Sequence, residues 1–295
     1  MSPKAIEASR SRHTRRALAS RWRVFTDWAQ AHGVPVLPAA PEDVARYLTA
    51  LAQRGASVAT IRAYASAIAT RHRDADLDNP CAHQGVRLAI KGLSRAHAQP
   101  QRQATPLDAA ALEAIRETAY LPRPGRGGVL ESEATALARG LVDIALCTLM
   151  SDAGLRRSEA AALTWGDVER WPDGSGRVTV RRSKTDQTAA GAVVGVTRMT
   201  MRALDAIRPD DVGAENSIFG LSGAQISRRI ARAALQAGLR GDYTGHSGRV
   251  GLAVRMAQNA VPTDATMRQG RWASAGMVTR YTRQVSAGEA LRWLK

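Results

Sequence analysis

Cysteine is nearly absent from this chain: Cys81 and Cys147 lie far apart, and neither belongs to a pair with the spacing of a metal site. A disulfide-bonded scaffold or a metal centre is therefore not expected, and a reduced, cytoplasmic compartment is the simplest interpretation. Long apolar runs are also absent, since none approaches the roughly 18 residues that a membrane span needs. Residues 1–16 lack the apolar region of a secretion signal, so secretion is not expected.

Acidic residues are outnumbered: 26 aspartates and glutamates face 42 lysines and arginines, which gives a formal net charge of +16. The excess is not confined to a tail, because residues 1–104 hold 16 basic and 7 acidic residues and residues 105–295 hold 26 and 19. A polyanion contacted by both halves accounts for this distribution, and its binding would weaken steeply with salt. The alternative is a basic protein whose charge serves solubility alone.

The length of 295 residues is long for a single hydrophobic core and favours two domains. Residues 1–93 are predicted to form a helical domain, with residues 1–12 disordered. Residues 94–106 are polar, contain two prolines and show no apolar period, which is typical of a linker. Residues 107–295 form the second domain. The four helices of the first domain are predicted at Thr14–His32, at Pro41–Gly55, between the N-cap Ser57 and Asn79, and around Val86–Leu93.

The second domain is predicted to be mainly α-helical with one small antiparallel β-sheet. Alternating residues predict strands at 177–181 and 192–196, and Lys184 lies in the turn between them. A long helix from Ser132 to Ala153 is expected to bury one face that includes Leu137 and Leu149. Further helices are predicted near 108–119, 200–207, 222–237, 247–259 and 263–269.

Four side chains near the end of the chain suggest phosphate chemistry. His246 and Arg249 are three residues apart, Trp272 follows 26 residues after the histidine, and Tyr281 nine residues later. Tyrosine, with an ordinary pKa near 10, attacks only when cations and a proton acceptor surround it. An arginine fork matches two non-bridging oxygens of a phosphodiester, and histidine transfers protons near neutral pH. The pattern indicates a tyrosine that attacks a phosphate, although each residue alone also fits an ordinary core, cap or surface position.

A second cluster lies upstream, where Arg156 and Glu159 are expected at a corner between two helices. An arginine at such a corner can be aimed in advance, and a carboxylate one turn further on can brace it. A surface ion pair at this spacing is an equally good interpretation of the two residues alone. Lys184, in its turn, is of interest only if the small sheet faces a substrate.

Two helices carry arginines that suit a DNA groove or a solvated face equally well. Their side chains do not reveal a target sequence. The candidate DNA-contact residues are Arg62, Arg71 and Arg73 in the first domain and Ser227, Arg228, Arg229 and Arg232 in the second.

The order Arg156, Glu159, Lys184, His246, Arg249, Trp272, Tyr281 resembles that of the tyrosine recombinases, the phage integrase family. The motifs that carry the likeness are GLRRSE, RSKT, GHSGRVG, GRW and RYTRQ, and the stretches PEDVARYLTALAQRG and TIRAY resemble the family's core-binding domain. The resemblance implies an N-terminal SAM-like core-binding domain and a tyrosine-recombinase catalytic domain.

The resemblance also implies a role for each residue of the motif. Tyr281 would be the nucleophile that forms a 3′-phosphotyrosyl link, and Lys184 the acid that protonates the leaving 5′-oxygen. Arg156 and Arg249 would bind the scissile phosphate, and Glu159 would support them. His246 would act in proton transfer, and Trp272 would donate its indole N–H to the phosphate. No cofactor or metal is implied, because cationic side chains supply the positive charge.

The family's chemistry implies double-stranded DNA with paired inverted-repeat target sites, a homotetramer and a Holliday-junction intermediate. A terminal helix at about 287–295 would dock into a neighbouring protomer. The protein would be cytoplasmic and associated with the nucleoid when it binds DNA.

Two other functions fit parts of the sequence. A type IB topoisomerase uses a similar site to relax supercoils. A DNA-binding protein of the same fold without chemistry is the other alternative, although all seven motif positions hold competent residues.

Overall fold

The computed structural model describes residues 10–97, 103–125, 127–181 and 191–290. The chain divides into two compact units, Met1–Gln101 and Arg102–Lys295. The boundary falls within the stretch 94–106 that the composition predicts as a linker. The helix before it runs to Ala96, so the start of that stretch is helical.

The first unit consists of helices around an aromatic core. The ring of Phe25 lies 5.1 Å from that of Tyr47, and Trp28 lies 5.2 Å from Tyr47 on another side. Ser57 caps its helix as predicted, since its Oγ accepts a hydrogen bond from the backbone N–H of Thr60 at 3.2 Å. The helices are α1 (Arg12–Ala31), α2 (Pro41–Gln53), α3 (Val58–Asp74) and α4 (Gln84–Ala96), with a 3-10 helix at Pro80–Ala82.

The predicted disorder of residues 1–12 is wrong for its last three residues, while residues 1–9 lie outside the described part of the chain. Helix α1 begins at Arg12, and the side chain of Ser11 caps it by accepting from the backbone N–H of Thr14. The guanidinium of Arg10 donates to both carboxylate oxygens of Asp74, at 2.5 and 2.6 Å. A bidentate pair of this kind holds the chain entering α1 against the end of α3.

The second unit is a helical domain with one three-stranded antiparallel sheet. Strands pair in the order β1–β2–β3, with Val178 opposite Val168 on one side and Val194 on the other. The first strand was not predicted. The elements of the second unit are α5 (Ala109–Thr118), α6 (Glu133–Ala153), α7 (Arg157–Ala162), a 3-10 helix (Trp165–Asp167), β1 (Val168–Arg170), β2 (Gly176–Val180), β3 (Ala192–Val196), α8 (Arg198–Asp205), α9 (Gly223–Gln236), α10 (Ser247–Gln258), α11 (Thr263–Gly270) and α12 (Ala275–Ala290).

Helix α6 is the central element of this unit. Its composition and its length of 21 residues would by themselves allow it to cross a membrane, but most of its apolar window is buried inside the protein. Leu146, Leu149 and Met150 are fully buried, whereas Leu137, predicted to face the core, is 51% exposed. The buried face is therefore displaced toward the C-terminal half of the helix.

Helix α10 carries glycines where it closely approaches α6 and the segment before α5. A Cβ at Gly248 would lie 2.5 Å from the carbonyl oxygen of Met150, and one at Gly251 would lie 2.1 Å from that of Leu107. Both distances are too short for any side chain. The close approach brings Arg249, between the two glycines, against the C-terminal end of α6.

A buried carboxylate joins α6 to its neighbours. Asp143 is fully buried. It receives Nη1 of Arg123 at 2.9 Å, Nη1 of Arg139 at 3.3 Å and Nε of Arg229 at 2.7 Å. Loss of this carboxylate would leave three guanidinium groups in the protein without their shared counter-charge.

We expect Asp143→Ala to lower the free energy of unfolding by about 3–5 kcal/mol, the usual effect of removing one partner from a buried ion pair. Urea denaturation of the full chain measures the loss. Leu137→Ala, on the exposed side of the same helix, is the matched control and should stay within about 0.5 kcal/mol. An Asp143→Ala loss below about 1 kcal/mol would contradict the assigned role of the network.

Candidate active site and DNA-contact residues

The corner between α6 and α7 positions Arg156 and Glu159. Gly154 ends α6 in the left-handed conformation at φ 53°, where a Cβ would also lie 2.6 Å from the side chain of Leu252. The backbone N–H of Arg156 donates to Oε2 of Glu159 at 2.9 Å, and its Nη1 donates to Oε1 at 2.7 Å. Glu159 therefore holds both the main chain and the side chain of Arg156.

Glu159 stays ionised despite its burial. Burial would raise the pKa of this carboxyl, but the backbone hydrogen bond from Arg156 and the charge of Arg271 outweigh it, and the pKa lies below its ordinary value. A charged carboxylate at this corner is what aims the neighbouring guanidinium.

Arg249 is the most buried cation of the site, with 2% exposure. Its Nη1 donates to the carbonyl oxygen of Gly154 at 2.7 Å, and its Nη2 donates to that of Arg271 at 3.3 Å. The guanidinium lies over the ring of Trp272, 4.9 Å from its centroid. These contacts fix the direction in which the remaining N–H groups point.

The charges around Arg249 show which groups are close to it. Burial and the charges of Arg156 and Arg271 lower the pKa of Arg249 to about 10, while Glu159 and Tyr281 act in the opposite direction. Even so, the group is cationic at neutral pH.

His246 lies at the N-terminus of α10 and is an exposed residue, although protein packs against part of its imidazole. The protein packed around the ring lowers the pKa of His246 below its ordinary value, and the charges of Arg157, Arg249 and Arg156 lower it further. The imidazole is therefore neutral at pH 7 and is able to accept a proton.

Trp272 connects Arg249 to Tyr281. The indole is 4% exposed, and its ring centroid lies 5.8 Å from that of Tyr281, which is half-buried on α12. Within the described part of the chain, the buried indole N–H of Trp272 has no hydrogen-bond partner. A buried donor without a partner is costly, so this N–H is suited to an acceptor on a substrate.

Arg271 belongs to the site although it is not among the residues selected from the sequence. Its Nη2 donates to Oε2 of Glu159 at 2.8 Å, and its Nη1 donates to the carbonyl oxygen of Ala153 at 3.0 Å. The one signal in the sequence is the position of Arg271 directly before Trp272. Because that segment is predicted as a loop, an arginine there is ordinarily interpreted as a solvated surface charge.

Lys184 lies outside the described residues, as does the whole of 182–190. The strands that flank this connection, β2 and β3, are described and pair in register from Val180 and Ala192 onward. Directly before the connection, the guanidinium of Arg181 pairs with the carboxylate of Asp167 at 2.5 Å.

In the first unit, the candidate DNA-contact residues differ in how far they are available. Arg62 is exposed and donates to Oγ of Ser94 at 3.2 Å, and the exposed Arg73 donates to Oγ1 of Thr70 at 3.3 Å. Arg71 is half-buried, and its Nε has no hydrogen-bond partner within the described part of the chain.

On α9 the candidates divide into two groups. Arg228 and Arg232 are exposed. Arg229 is not directed outward, because its guanidinium donates to Asp143 and to the carbonyl oxygen of Arg139 at 3.0 Å. The Oγ of Ser227 accepts from the backbone N–H of Gly245 at 3.0 Å and so supports the turn before His246.

The described ranges contain no group of three or more His, Cys, Asp or Glu side chains that could hold a metal ion. The positive charge of the site comes from the clustered guanidinium groups.

The fold and the arginine–tyrosine cluster define a class of protein. Residues 132–287, more than half of the chain, match the phage integrase family, and the chain belongs to that family. Residues 5–73 match the N-terminal SAM-like domain of phage integrases. The predicted family and fold class are confirmed.

Individual relatives match along nearly the whole of this chain. It is 28% identical to an integrase/recombinase XerD homolog of Selenomonas ruminantium over 301 residues, covering 95% of this chain and 84% of that protein. It is 24% identical to the recombinase Cre of Escherichia phage P1 over 311 residues, covering 94% of this chain and 85% of that protein.

Solved structures support the fold. The Tn1549 transposon integrase in complex with transposon right-end DNA matches with a TM-score of 0.65 and 14% identity, over 99% of this chain and 98% of that one. A lambda integrase dimer bound to a core site matches with a TM-score of 0.60 and 20% identity, over 94% of this chain and 91% of that one.

Proposed function

We propose that this protein is a site-specific tyrosine recombinase that cleaves and rejoins DNA strands through a 3′-phosphotyrosyl intermediate. The observation that carries the proposal is the position of Trp272, whose ring lies 4.9 Å from the Arg249 guanidinium and 5.8 Å from the ring of Tyr281, and whose buried N–H has no partner in the described part of the chain. Glu159 holds Arg156 at the neighbouring corner. Fixed cations and a donor without a protein partner form a binding place for a phosphate. Membership of the family and relatives that match over 94–95% of this chain support it.

In the proposed cleavage step, the phenol oxygen of Tyr281 bonds to the phosphorus and the bond from phosphorus to the 5′-oxygen breaks. Neutral His246 accepts the phenol proton, and Lys184 gives a proton to the leaving 5′-oxygen. Arg156 and Arg249 stabilise the charge that develops on the non-bridging oxygens. Attack by another 5′-hydroxyl reverses the step, so rejoining needs no ATP and no metal.

The proposed partner is double-stranded DNA with paired inverted-repeat sites. Exposed arginines on both units, including Arg62, Arg73, Arg228 and Arg232, are the proposed phosphate or groove contacts. Strand exchange would proceed in a homotetramer through a Holliday junction. The end of the chain, 287–295, would contact a neighbouring protomer; its first four residues extend the helix of Tyr281, and 291–295 lie outside the described residues. Such a protein would work in the cytoplasm at the nucleoid.

A covalent trap tests the proposal. The protein first enriches its preferred duplex from a randomised library. A nick is then placed in this duplex close to the cleaved bond. Cleavage releases the short fragment between nick and bond, so the strand cannot be rejoined. The protein should become attached to this DNA in a complex that survives denaturant. Absence of any adduct would reject the chemistry and leave the alternative of a DNA-binding protein without activity.

The same protein distinguishes recombination from topoisomerase activity. A supercoiled plasmid without an enriched site should remain supercoiled, and a pair of enriched sites should exchange flanking DNA. Efficient relaxation of every plasmid would instead favour the type IB topoisomerase.

Lys184→Ala is expected to slow cleavage by about 10²–10⁴-fold, the usual contribution of a general acid. A substrate with sulfur in place of the bridging 5′-oxygen should restore the rate, because a thiolate leaves without a proton. Single-turnover adduct formation on both substrates measures the effect, and equal rates of the variant on oxygen and sulfur would contradict the acid role.

A further inference from the structure

We propose that Arg271 is a positioning residue of the active site, one that fixes Glu159 and Arg249 relative to Trp272. The inference rests on the proposed function, and it concerns a residue that does not itself contact the phosphate. Arg271 acts through the residues that do.

The backbone of Arg271 adopts a conformation that favours glycine. Helix α11 ends at Gly270, and Arg271 follows in the left-handed region at φ 53° and ψ 49°. An arginine is strained there, and its side chain is 8% exposed. Strain of this kind persists where the surrounding contacts hold the residue in place, and the side chain of Arg271 makes such contacts.

The guanidinium of Arg271 binds the corner that carries Arg156. Its Nη1 donates to the carbonyl oxygen of Ala153 at 3.0 Å, and its Nη2 donates to that of Gly154 at 3.3 Å and to Oε2 of Glu159 at 2.8 Å. One side chain thus ties the end of α11 to the end of α6 and to the start of α7.

The main chain of Arg271 binds the other phosphate-site arginine and carries the indole. Its carbonyl oxygen accepts Nη2 of Arg249 at 3.3 Å. The next residue is Trp272, whose ring packs so closely on Gly270 that a Cβ there would lie 2.0 Å from it. The corner at 270–272 therefore has little freedom once Arg271 is bound.

Arg271 also affects how the two carboxylate oxygens of Glu159 divide their hydrogen bonds among the donors around them. Oε1 of Glu159 receives Nη1 of Arg156, and Oε2 receives the backbone N–H of Arg156 together with Nη2 of Arg271. Without Arg271, Arg156 is the described cation that still donates to Glu159. We expect Arg156 then to turn further toward Glu159 and away from a phosphate.

The substitution Arg271→Gly tests the role. Glycine accepts the left-handed backbone without strain, so the variant should fold, and a thermal melt will verify this. We expect single-turnover adduct formation on the nicked, library-enriched duplex to fall about 100-fold, as for an active site displaced by about 1 Å. The DNA dissociation constant should change by less than about threefold, because the other phosphate contacts dominate affinity.

Arg268→Ala is the matched control. Arg268 lies on α11 three residues earlier, is 73% exposed and pairs only at the surface with Asp264. This substitution removes the same charge from the helix that directly precedes Arg271, and both rate and affinity should stay within about threefold of the unmodified protein.

The pH profile separates positioning from a general structural effect. Two cations, Arg156 and Arg271, contact Glu159, with the charge of Arg249 close by. The carboxyl has a pKa below its ordinary value, and since burial raises it, loss of Arg271 shifts it upward. Protonation of His246 gives the first break on the acid side of the cleavage-rate profile, and protonation of Glu159 gives the acid limb below it. This acid limb should therefore move to higher pH in Arg271→Gly, and remain in place in Arg268→Ala.

Arg271→Lys adds a third comparison. Lysine restores the charge beside Glu159 but not the fork that reaches three acceptors, so the acid limb should return toward its original position while the rate recovers only in part. A cleavage rate in Arg271→Gly within threefold of the unmodified protein, or an unshifted acid limb, would overturn the positioning role. No adduct even with the unmodified protein would reject the proposed function, and the inference with it.

Discussion

Tyr281→Phe is expected to abolish covalent attachment to DNA completely while binding stays unchanged. Phenylalanine keeps the ring that packs 5.8 Å from Trp272 and removes only the attacking oxygen. The adduct on the nicked duplex should disappear from a denaturing gel, while the mobility shift under native conditions should be the same as for the unmodified protein.

Tyr120→Phe is the matched control for this substitution. Tyr120 is 43% exposed and follows α5, so loss of its hydroxyl should leave both adduct and affinity unchanged. Residual adduct in Tyr281→Phe would show that another side chain attacks the phosphate, which would remove the central element of the proposed function.

Arg249→Ala is expected to slow cleavage by about 10²–10³-fold, as for the loss of one preorganised donor to a developing negative charge. Arg249→Lys should recover little of this, because one ammonium cannot reach Gly154, Arg271 and the face of Trp272 together. Single-turnover rates at saturating DNA, with a thermal melt to verify folding, measure the effect.

Arg232→Ala should show the opposite pattern. Arg232 is exposed on α9, so its loss should weaken DNA binding and reduce the salt dependence of that binding, with the rate at saturation unchanged. If Arg249→Ala weakened binding and left the saturated rate intact, Arg249 would be a binding residue and its proposed place at the scissile phosphate would be wrong.

The helices of the fold were predictable because their signals are local. Apolar periodicity, Ser57 at an N-cap and the end of the long helix at Ala153 each depend on residues within one or two turns, and the structure confirms them. The strand Val168–Arg170 escaped because three residues are too few to show alternation. Leu137 fits the helical stripe of α6, but which part of a stripe is covered depends on neighbours that the stripe does not specify.

The candidate site residues can be selected from the sequence, whereas their contacts cannot. The order from Arg156 to Tyr281 is visible in the sequence, whereas the role of Arg271 is not. That role depends on a left-handed corner and on a carboxylate 112 positions away. Arg229 illustrates the reverse: an arginine on a basic helix looks available for DNA until the buried Asp143 across from it is known.

Tyr281 shares helix α12 with the residues that lead to the end of the chain. Nine residues, about 14 Å of helix at 1.5 Å per residue, separate the phenol from Ala290, and a helix transmits displacement over that length with little loss. A displacement of helix α12 by about 1 Å would be enough to prevent efficient attack by Tyr281, because reaction rates depend steeply on the alignment of the reacting atoms. A protomer in which the C-terminal end of α12 is displaced would therefore not cleave, while its DNA stays bound. No lid or further switch would be needed.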